Sequence, residues 1–317
     1  MNRNHRVRLA ALVCTFLCVA IAACGGGGGE EPAAAPPPIE PPPAPPPPPA
    51  TTAYLVLSSR IDLCQIGSDG VLSTCTDAGI AGFDAMGAMA VAGSHAYIAN
   101  FASTPAIIHC SIGPSGMLSG CGDTGLNGLE DPEGLTAHGS TLYIGDSSSP
   151  RVRKCHIRDD GALDACSSAG LPDSFGLAAE DIRVVDSTAY ILHLDEEQVS
   201  KCLVGTDGGF SGCTSAGASG LSTPFGFAIT GKHMYIANWS NNNIQRCTMD
   251  TDGSLADCMD AAADRFSSPT QIAVRGSSVY VTSSAGGVTH CTRTSEGLLT
   301  ACRLSAAAEP IYNIVLR

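Results

Sequence analysis

Six pairs of cysteines recur along the sequence: Cys64 and Cys75, Cys110 and Cys121, Cys155 and Cys166, Cys202 and Cys213, Cys247 and Cys258, and Cys291 and Cys302, always with ten residues between the partners. Such pairs could hold a metal, cycle between thiol and disulfide, or close a covalent staple. Four-cysteine zinc sites use pairs two to four residues apart and redox dithiols use CxxC, and this sequence contains no CxxC. The staple remains. Between the cysteines run GSDGVL, GPSGML, RDDGAL, GTDGGF, DTDGSL and TSEGLL, whose glycine in a fixed place supplies the positive φ of a tight hairpin. In such a hairpin the two cysteines fall opposite one another on neighbouring strands, with Cβ atoms about 4.5 to 5.5 Å apart. All twelve are expected in disulfides, each contributing somewhat under ~3 kcal/mol.

The other residues able to do chemistry are polar groups that close short apolar runs. A tyrosine recurs in AYLVL (Tyr54), AYIAN (Tyr97), LYIGD (Tyr143), AYILH (Tyr190), MYIAN (Tyr235) and VYVTS (Tyr280), about 45 residues apart. Three residues beyond each stands Leu57, Asn100, Asp146, His193, Asn238 or Ser283. Upstream of five of the tyrosines lies a second apolar segment closed by a turn, as in AMAVAG, GLTAHG, DIRVVD, GFAITG and QIAVRG. Each unit therefore holds four short strands, A to D. The B to C and D to A loops share one face, so the six strand ends meet the starts of the A strands there. Those starts add Glu133, Glu180, Asp181, Gln271 and Asn313 near the mouth of a central channel. Converging oxygens of this kind could hold a hard cation such as Ca²⁺, which takes six to eight of them; no cofactor is required by anything else in the sequence.

Strands of four to six residues at this period predict an all-β, six-bladed β-propeller over residues 53–317, because helical repeats and the shorter solenoid repeats do not match. The C-terminal PIYNIVLR resembles PTQIAVRG before Tyr280, so the last strand supplies strand A to the first blade and closes the ring. Closure removes an exposed sheet edge.

The rhythm SPTQIAVRGSSVYV resembles the six-bladed NHL-repeat, gluconolactonase and paraoxonase-like propellers. That resemblance implies a ligand site on the loop face, with calcium in the mouth and lactone or ester hydrolysis in some members. The cysteine pairs depart from that rhythm and resemble those of bacterial lactonase-like or uncharacterised repeat lipoproteins. No catalytic motif carries over residue by residue, and GxSxG, HExxH and Walker sequences are absent. Weaker candidates are His109 and His290, each preceding a cysteine at a strand position expected to be exposed; the acids of HLDEEQ (193–198); and Trp239 in NWSNNN, able to stack on a sugar or anchor a protein.

Residues 1–23 read as an export signal, with Arg3, Arg6 and Arg8 before an apolar stretch. Ile21-Ala22-Ala23-Cys24 resembles the bacterial lipobox, which implies a diacylated, palmitate-bearing Cys24. Residues 24–52 then form a Gly- and Pro-rich tether that cannot bury a core. The glycine after Cys24 resembles outer-membrane lipoproteins, periplasmic or surface facing. The chain carries 17 basic and 30 acidic residues, a formal net charge of −13. That sign argues against nucleic acid and anionic lipid head groups, leaving the lipid anchor as the membrane contact. The expectation is a monomeric envelope lipoprotein binding a protein or carbohydrate ligand, with a metal-dependent lactonase or esterase as the alternative.

Overall fold

The computed structural model describes residues 51–317 apart from 81–82, 84–85, 102–103, 147–150, 177–178, 263–265 and 307–308. The expected signal, Cys24 and the tether up to residue 50 lie outside the described residues. Blade 1 begins with β1 (Thr52–Val56), β2 (Ile61–Ile66) and β3 (Leu72–Asp77). Blade 2 is β4 (Met86–Ala92), β5 (His95–Asn100), β6 (Ala106–Ile112) and β7 (Leu118–Asp123); blade 3 is β8 (Pro132–His138), β9 (Thr141–Asp146), β10 (Val152–Ile157) and β11 (Leu163–Ser168). Blade 4 is β12 (Asp181–Val185), β13 (Thr188–His193), β14 (Gln198–Val204) and β15 (Phe210–Ser215). Blade 5 is β16 (Pro224–Thr230), β17 (His233–Asn238), β18 (Asn243–Met249) and β19 (Leu255–Asp260), and blade 6 is β20 (Pro269–Arg275), β21 (Ser278–Ser283), β22 (Val288–Arg293) and β23 (Leu299–Ala306). The last strand, β24 (Asn313–Leu316), pairs antiparallel with β1 as the inner strand of blade 1. The inner strands β24, β4, β8, β12, β16 and β20 follow one another around the axis, so the all-β ring has six four-stranded blades and is closed by its C-terminal strand.

There is no single central core. Each of six apolar clusters lies between two blades, as where Tyr54, Val56 and Leu63 of blade 1 meet Met89, Ile98 and Ile108 of blade 2. This explains the sequence of the B strands. Packed between strands A and C and between two neighbouring blades, β5, β9 and β13 are buried at every position after the first. The outer strands β3, β7 and β15 bury their first residue and leave the rest exposed or half-exposed.

All twelve blade cysteines are in disulfides, and each bond stays within one hairpin. Cys64 is joined to Cys75, Cys110 to Cys121, Cys155 to Cys166, Cys202 to Cys213, Cys247 to Cys258, and Cys291 to Cys302, with Cα atoms between 3.9 and 4.1 Å apart. They are not simple cross-strand partners. The register of strands C and D shifts at every pair, so that two residues of strand D oppose the first cysteine. The residue before the second cysteine has positive φ in all six blades: Thr74 before Cys75, Gly120 before Cys121, Ala165 before Cys166, Gly212 before Cys213, Asp257 before Cys258 and Ala301 before Cys302. This is a β-bulge, and it replaces the directly opposed pairing expected from the sequence. The extra residue turns the second cysteine of each hairpin toward the first.

Each repeat tyrosine crosses to the next blade. The hydroxyls of Tyr54, Tyr97, Tyr143, Tyr190, Tyr235 and Tyr280 donate to the carbonyls of Gly116, Gly161, Gly208, Gly253, Gly297 and Gly70, at 2.6 to 3.1 Å. These are the glycines of the C to D hairpins, and their φ of 77° to 86° presents the carbonyl inward. The residue before each first cysteine lies on the same seam. Arg246 donates to the Glu296 carbonyl, Lys154 and Lys201 reach Asp207 and Asp252, and His290 and Leu63 pack beside Gly70 and Gly116. His109 sits beside Gly161, bonded to His95 at 3.0 Å. The position expected to be exposed is thus closed under the neighbouring hairpin, with Leu63, Arg246 and His290 buried. Burial pulls His109 and His290 below the ordinary histidine range.

Candidate functional site

The starts of the inner strands depart from regular pairing. Register shifts fall between Met86 and Met89, Pro132 and Leu135, Pro224 and Gly226, and Pro269 and Ile272. A bulge re-aims side chains, and residues inside these bulges, Gly87, Glu133, Phe225 and Gln271 among them, line one cavity of about 140 Å³ at the channel mouth. Glu180 and Asp181 from the start of β12 and Asn313 from β24 complete its polar wall, and Phe101, Phe225 and Tyr312 form an aromatic wall. Glycine permits this approach: a Cβ on Gly145 would collide with the Ala179 carbonyl oxygen, so no larger residue could let the 179–181 segment pass.

Asp181 is occupied by the scaffold. One carboxylate oxygen accepts from Ile182 N at 2.9 Å and from Arg183 Nη1, and the other accepts from Phe227 N and Gln271 Nε2, both at 3.0 Å. One side chain thereby ties blades 4, 5 and 6 beneath the mouth. Burial pushes Asp181 upward, while Arg183, Gln271 and the two backbone amides pull it back.

Glu133 and Glu180 are different. Their carboxyl groups neighbour one another across the seam between blades 3 and 4, and each acts on the other's ionisation. Burial first, then the neighbouring Glu133, holds Glu180 well above the usual carboxylate range, and burial also raises Glu133. Two neighbouring carboxylates cannot both ionise cheaply, which is why Glu133 raises Glu180. Glu180 is 8% exposed, and its Oε2 has no hydrogen-bond partner. Asp131, Asp146 and Asp195 add negative potential around Glu133.

The polar strand ends are placed elsewhere. Asp146 accepts from the backbone N–H groups of Glu130 and Asp131, and Asn238 accepts from Ser222 N and donates to the Gly220 carbonyl. Ser283 donates to the Ser267 carbonyl in the same manner. His193 is buried against Ser200 Oγ at 2.9 Å and stacks on Phe175. Asn100 is buried at the equivalent strand end, and Leu57 takes that place as a core residue. Asp146, Asn238 and Ser283 clamp loops to their own blades. Glu133, Glu180, Asp181, Gln271 and Asn313 are the expected residues brought together in the cavity.

Outside the cavity, Trp239 donates Nε1–H to Ser284 Oγ at 2.9 Å and tilts against Phe225. Glu197 accepts from Thr223 N, tying the acidic loop of blade 4 to blade 5. Sequence reasoning missed the aromatic wall. Phe101, Phe225 and Tyr312 follow or precede recognisable strand residues, but a bulge or a loop, not periodicity, turns them inward.

The mouth also bears on calcium. Asp181 is saturated, Gln271 Oε1 accepts from Ile272 N, and the oxygens of Asp146 and Asn238 accept from loop backbone. Among the described residues no three His, Cys, Asp or Glu side chains gather as a metal-holding group. Of the expected residues, this leaves Glu133, Glu180 and Asn313 as the side chains in the cavity with oxygens not taken up by these bonds.

No protein-family profile matches the sequence, and no curated protein matches it significantly. Solved structures share the ring. A chain of the nidogen/laminin complex aligns with a TM-score of 0.64 at 13% identity, covering 83% of this chain and 97% of that one. The periplasmic gluconolactonase of Pseudomonas aeruginosa aligns at 0.58 with 11% identity, covering 83% and 98%. A candidate 6-phosphogluconolactonase of Bacteroides fragilis aligns at 0.58 with 13% identity, covering 84% and 97%. At these identities the likeness is one of fold alone.

Proposed function

We propose that the protein is an envelope lipoprotein, held to the outer membrane through Cys24 and its Pro-rich tether, whose propeller binds a small ligand at the channel mouth. The observation that carries the binding reading is the mouth cavity. A buried carboxyl group with an unpartnered oxygen faces aromatic side chains there, a combination of apolar wall and few polar groups typical of ligand sites. The test is a melting-temperature screen of the full chain against lactones, sugars, amines and divalent cations. A shift produced by one class in the wild type and lost in Glu180→Gln with Phe225→Ala supports the reading. Shifts unaffected by the double substitution count against it.

A second reading is a lactone or ester hydrolase using the same cavity. Two points favour it: the neighbouring Glu133 and Glu180 carboxyl groups are both raised, and three of the structural neighbours carry gluconolactonase names. In such a reaction the ionised member would take a proton from attacking water while the protonated member gave one to the leaving oxygen. Turnover of a lactone panel, absent in both Glu133→Gln and Glu180→Gln, would establish it; no turnover leaves the binding reading in place.

A further inference from the structure

We propose that the mouth pocket binds a protonated primary or secondary organic amine, whose N–H groups are donated to the Glu133/Glu180 carboxyl pair while its hydrocarbon part lies against Phe101, Phe225 and Tyr312. This rests on the mouth being a ligand site and specifies what enters it. The first support is a missing donor: Glu180 Oε2 is buried without a partner in a wall of the cavity. An ammonium N–H supplies it.

The second support is the sign of the field. Asp131, Asp146 and Asp195 act on Glu133, and Asp131 and Asp181 act on Glu180. Arg183, beside Asp181, is bound to Asp181 and to the Ile182 carbonyl. An anion entering the pocket meets repulsion, whereas a cation relieves the repulsion between the two glutamates. The third support is the wall and the size. Aromatic faces attract cations, and a cavity of about 140 Å³ resembles in volume those that accept a benzene ring. A quaternary ammonium brings charge but no N–H donor, and a sugar brings donors but no charge. Neither satisfies both requirements.

Isothermal titration of the full chain at neutral pH with benzylamine, benzyl alcohol, tetramethylammonium chloride, calcium chloride and glucose separates these classes. Benzylamine is expected to bind one to one, at least about tenfold more tightly than benzyl alcohol or tetramethylammonium, as the loss of a charge-assisted hydrogen bond implies. Affinity falls on acidification as the Glu133 and Glu180 carboxylates are protonated. Glu180→Gln and Phe225→Ala each weaken benzylamine, and Glu296→Gln on an outer turn does not; Phe225→Ala keeps the test open if Glu180→Gln misfolds. Equal binding of benzylamine and benzyl alcohol, or binding of glucose or calcium without the amine, overturns the amine class and leaves the mouth as a site. Absence of binding by every probe overturns the amine class, and joined to a negative ligand screen it overturns the mouth reading as well.

Discussion

Replacing Tyr235 by phenylalanine removes one oxygen and nothing else from the seam between blades 5 and 6. The ring of Tyr235 is fully buried and its hydroxyl donates to the Gly297 carbonyl at 2.7 Å. A net intramolecular hydrogen bond contributes about 0.5–1.5 kcal/mol, and stranding the buried acceptor costs about 1–3 kcal/mol. A loss of about 1–3 kcal/mol is expected, or roughly 2–6 °C in melting temperature at the ~2 °C per kcal/mol suited to a domain of this size. Urea and calorimetric unfolding measure it. Tyr97→Phe on the opposite seam, where the hydroxyl reaches Gly161 at 2.7 Å, should cost a similar amount. The two seams share no partners, so the double variant should be additive within about 0.5 kcal/mol. Tyr312→Phe, 36% exposed, is the control with no effect on stability. A Tyr235→Phe protein as stable as the wild type, or as little affected as Tyr312→Phe, would refute the claim that these hydroxyls rivet the blades.

Further outcomes follow from the same structure. Burial, and then Asp160, pushes the Tyr97 phenol up to about 12, so the stability held by its protonated form persists below pH ~10 and is lost as pH rises through the folded value; ultraviolet titration should show late ionisation coupled to unfolding. Glu180 is raised in the folded state, chiefly by burial, with Glu133, Asp181 and Asp131 adding to it, so its contribution is present below the unfolded carboxyl range and declines as pH rises. Glu180→Gln should therefore raise the melting temperature at neutral pH, each tenfold weakening of the carboxyl's acidity that is relieved being equal to about 1.4 kcal/mol, and give no gain in acid; a pH-independent gain would contradict this. Cys247→Ala with Cys258→Ala opens one hairpin and should cost about 2–3 kcal/mol, while thiol alkylation of the unreduced, denatured chain should label none of the twelve blade cysteines. In Gly226→Ala the new Cβ would meet Gln271 Oε1 at 2.6 Å, displacing Gln271 from Asp181. Ligand binding should weaken more than stability, as paired titration and melting would show.

The repeat was legible because a propeller is built of units that each need the same four strands, and strand period, turn glycine and cysteine spacing are local properties of the chain. Tyr54 to Tyr280, the six hairpins, their cysteine partners and the closing strand at Asn313–Leu316 could all be read from the order of residues. The bulges that seat Cys75, Cys121, Cys166, Cys213, Cys258 and Cys302 could not, because equal distance from a turn does not record an extra residue in one strand. Nor could the burial of His290 and Arg246. Their surroundings belong to the next blade, and nothing within one repeat records how closely its neighbour packs. Asp146 and Asn238 illustrate the same point: a polar residue at a strand end can face the channel or clamp its own loop. Only the fold of residues 130–131 and 220–222 decides between them.

The pocket belongs wholly to the tertiary structure. Glu133, Phe225 and Gln271 come from three blades and enter one cavity because bulges at the starts of β8, β16 and β20 turn them inward. A bulge is set by pairing with a neighbouring strand, not by composition. Sequence by itself thus determined the number of blades and the covalent staples, which depend on spacing along the chain. Which acids meet, which are spent on the scaffold and which remains unpartnered depends on distances across the axis, and those exist only once the ring has closed.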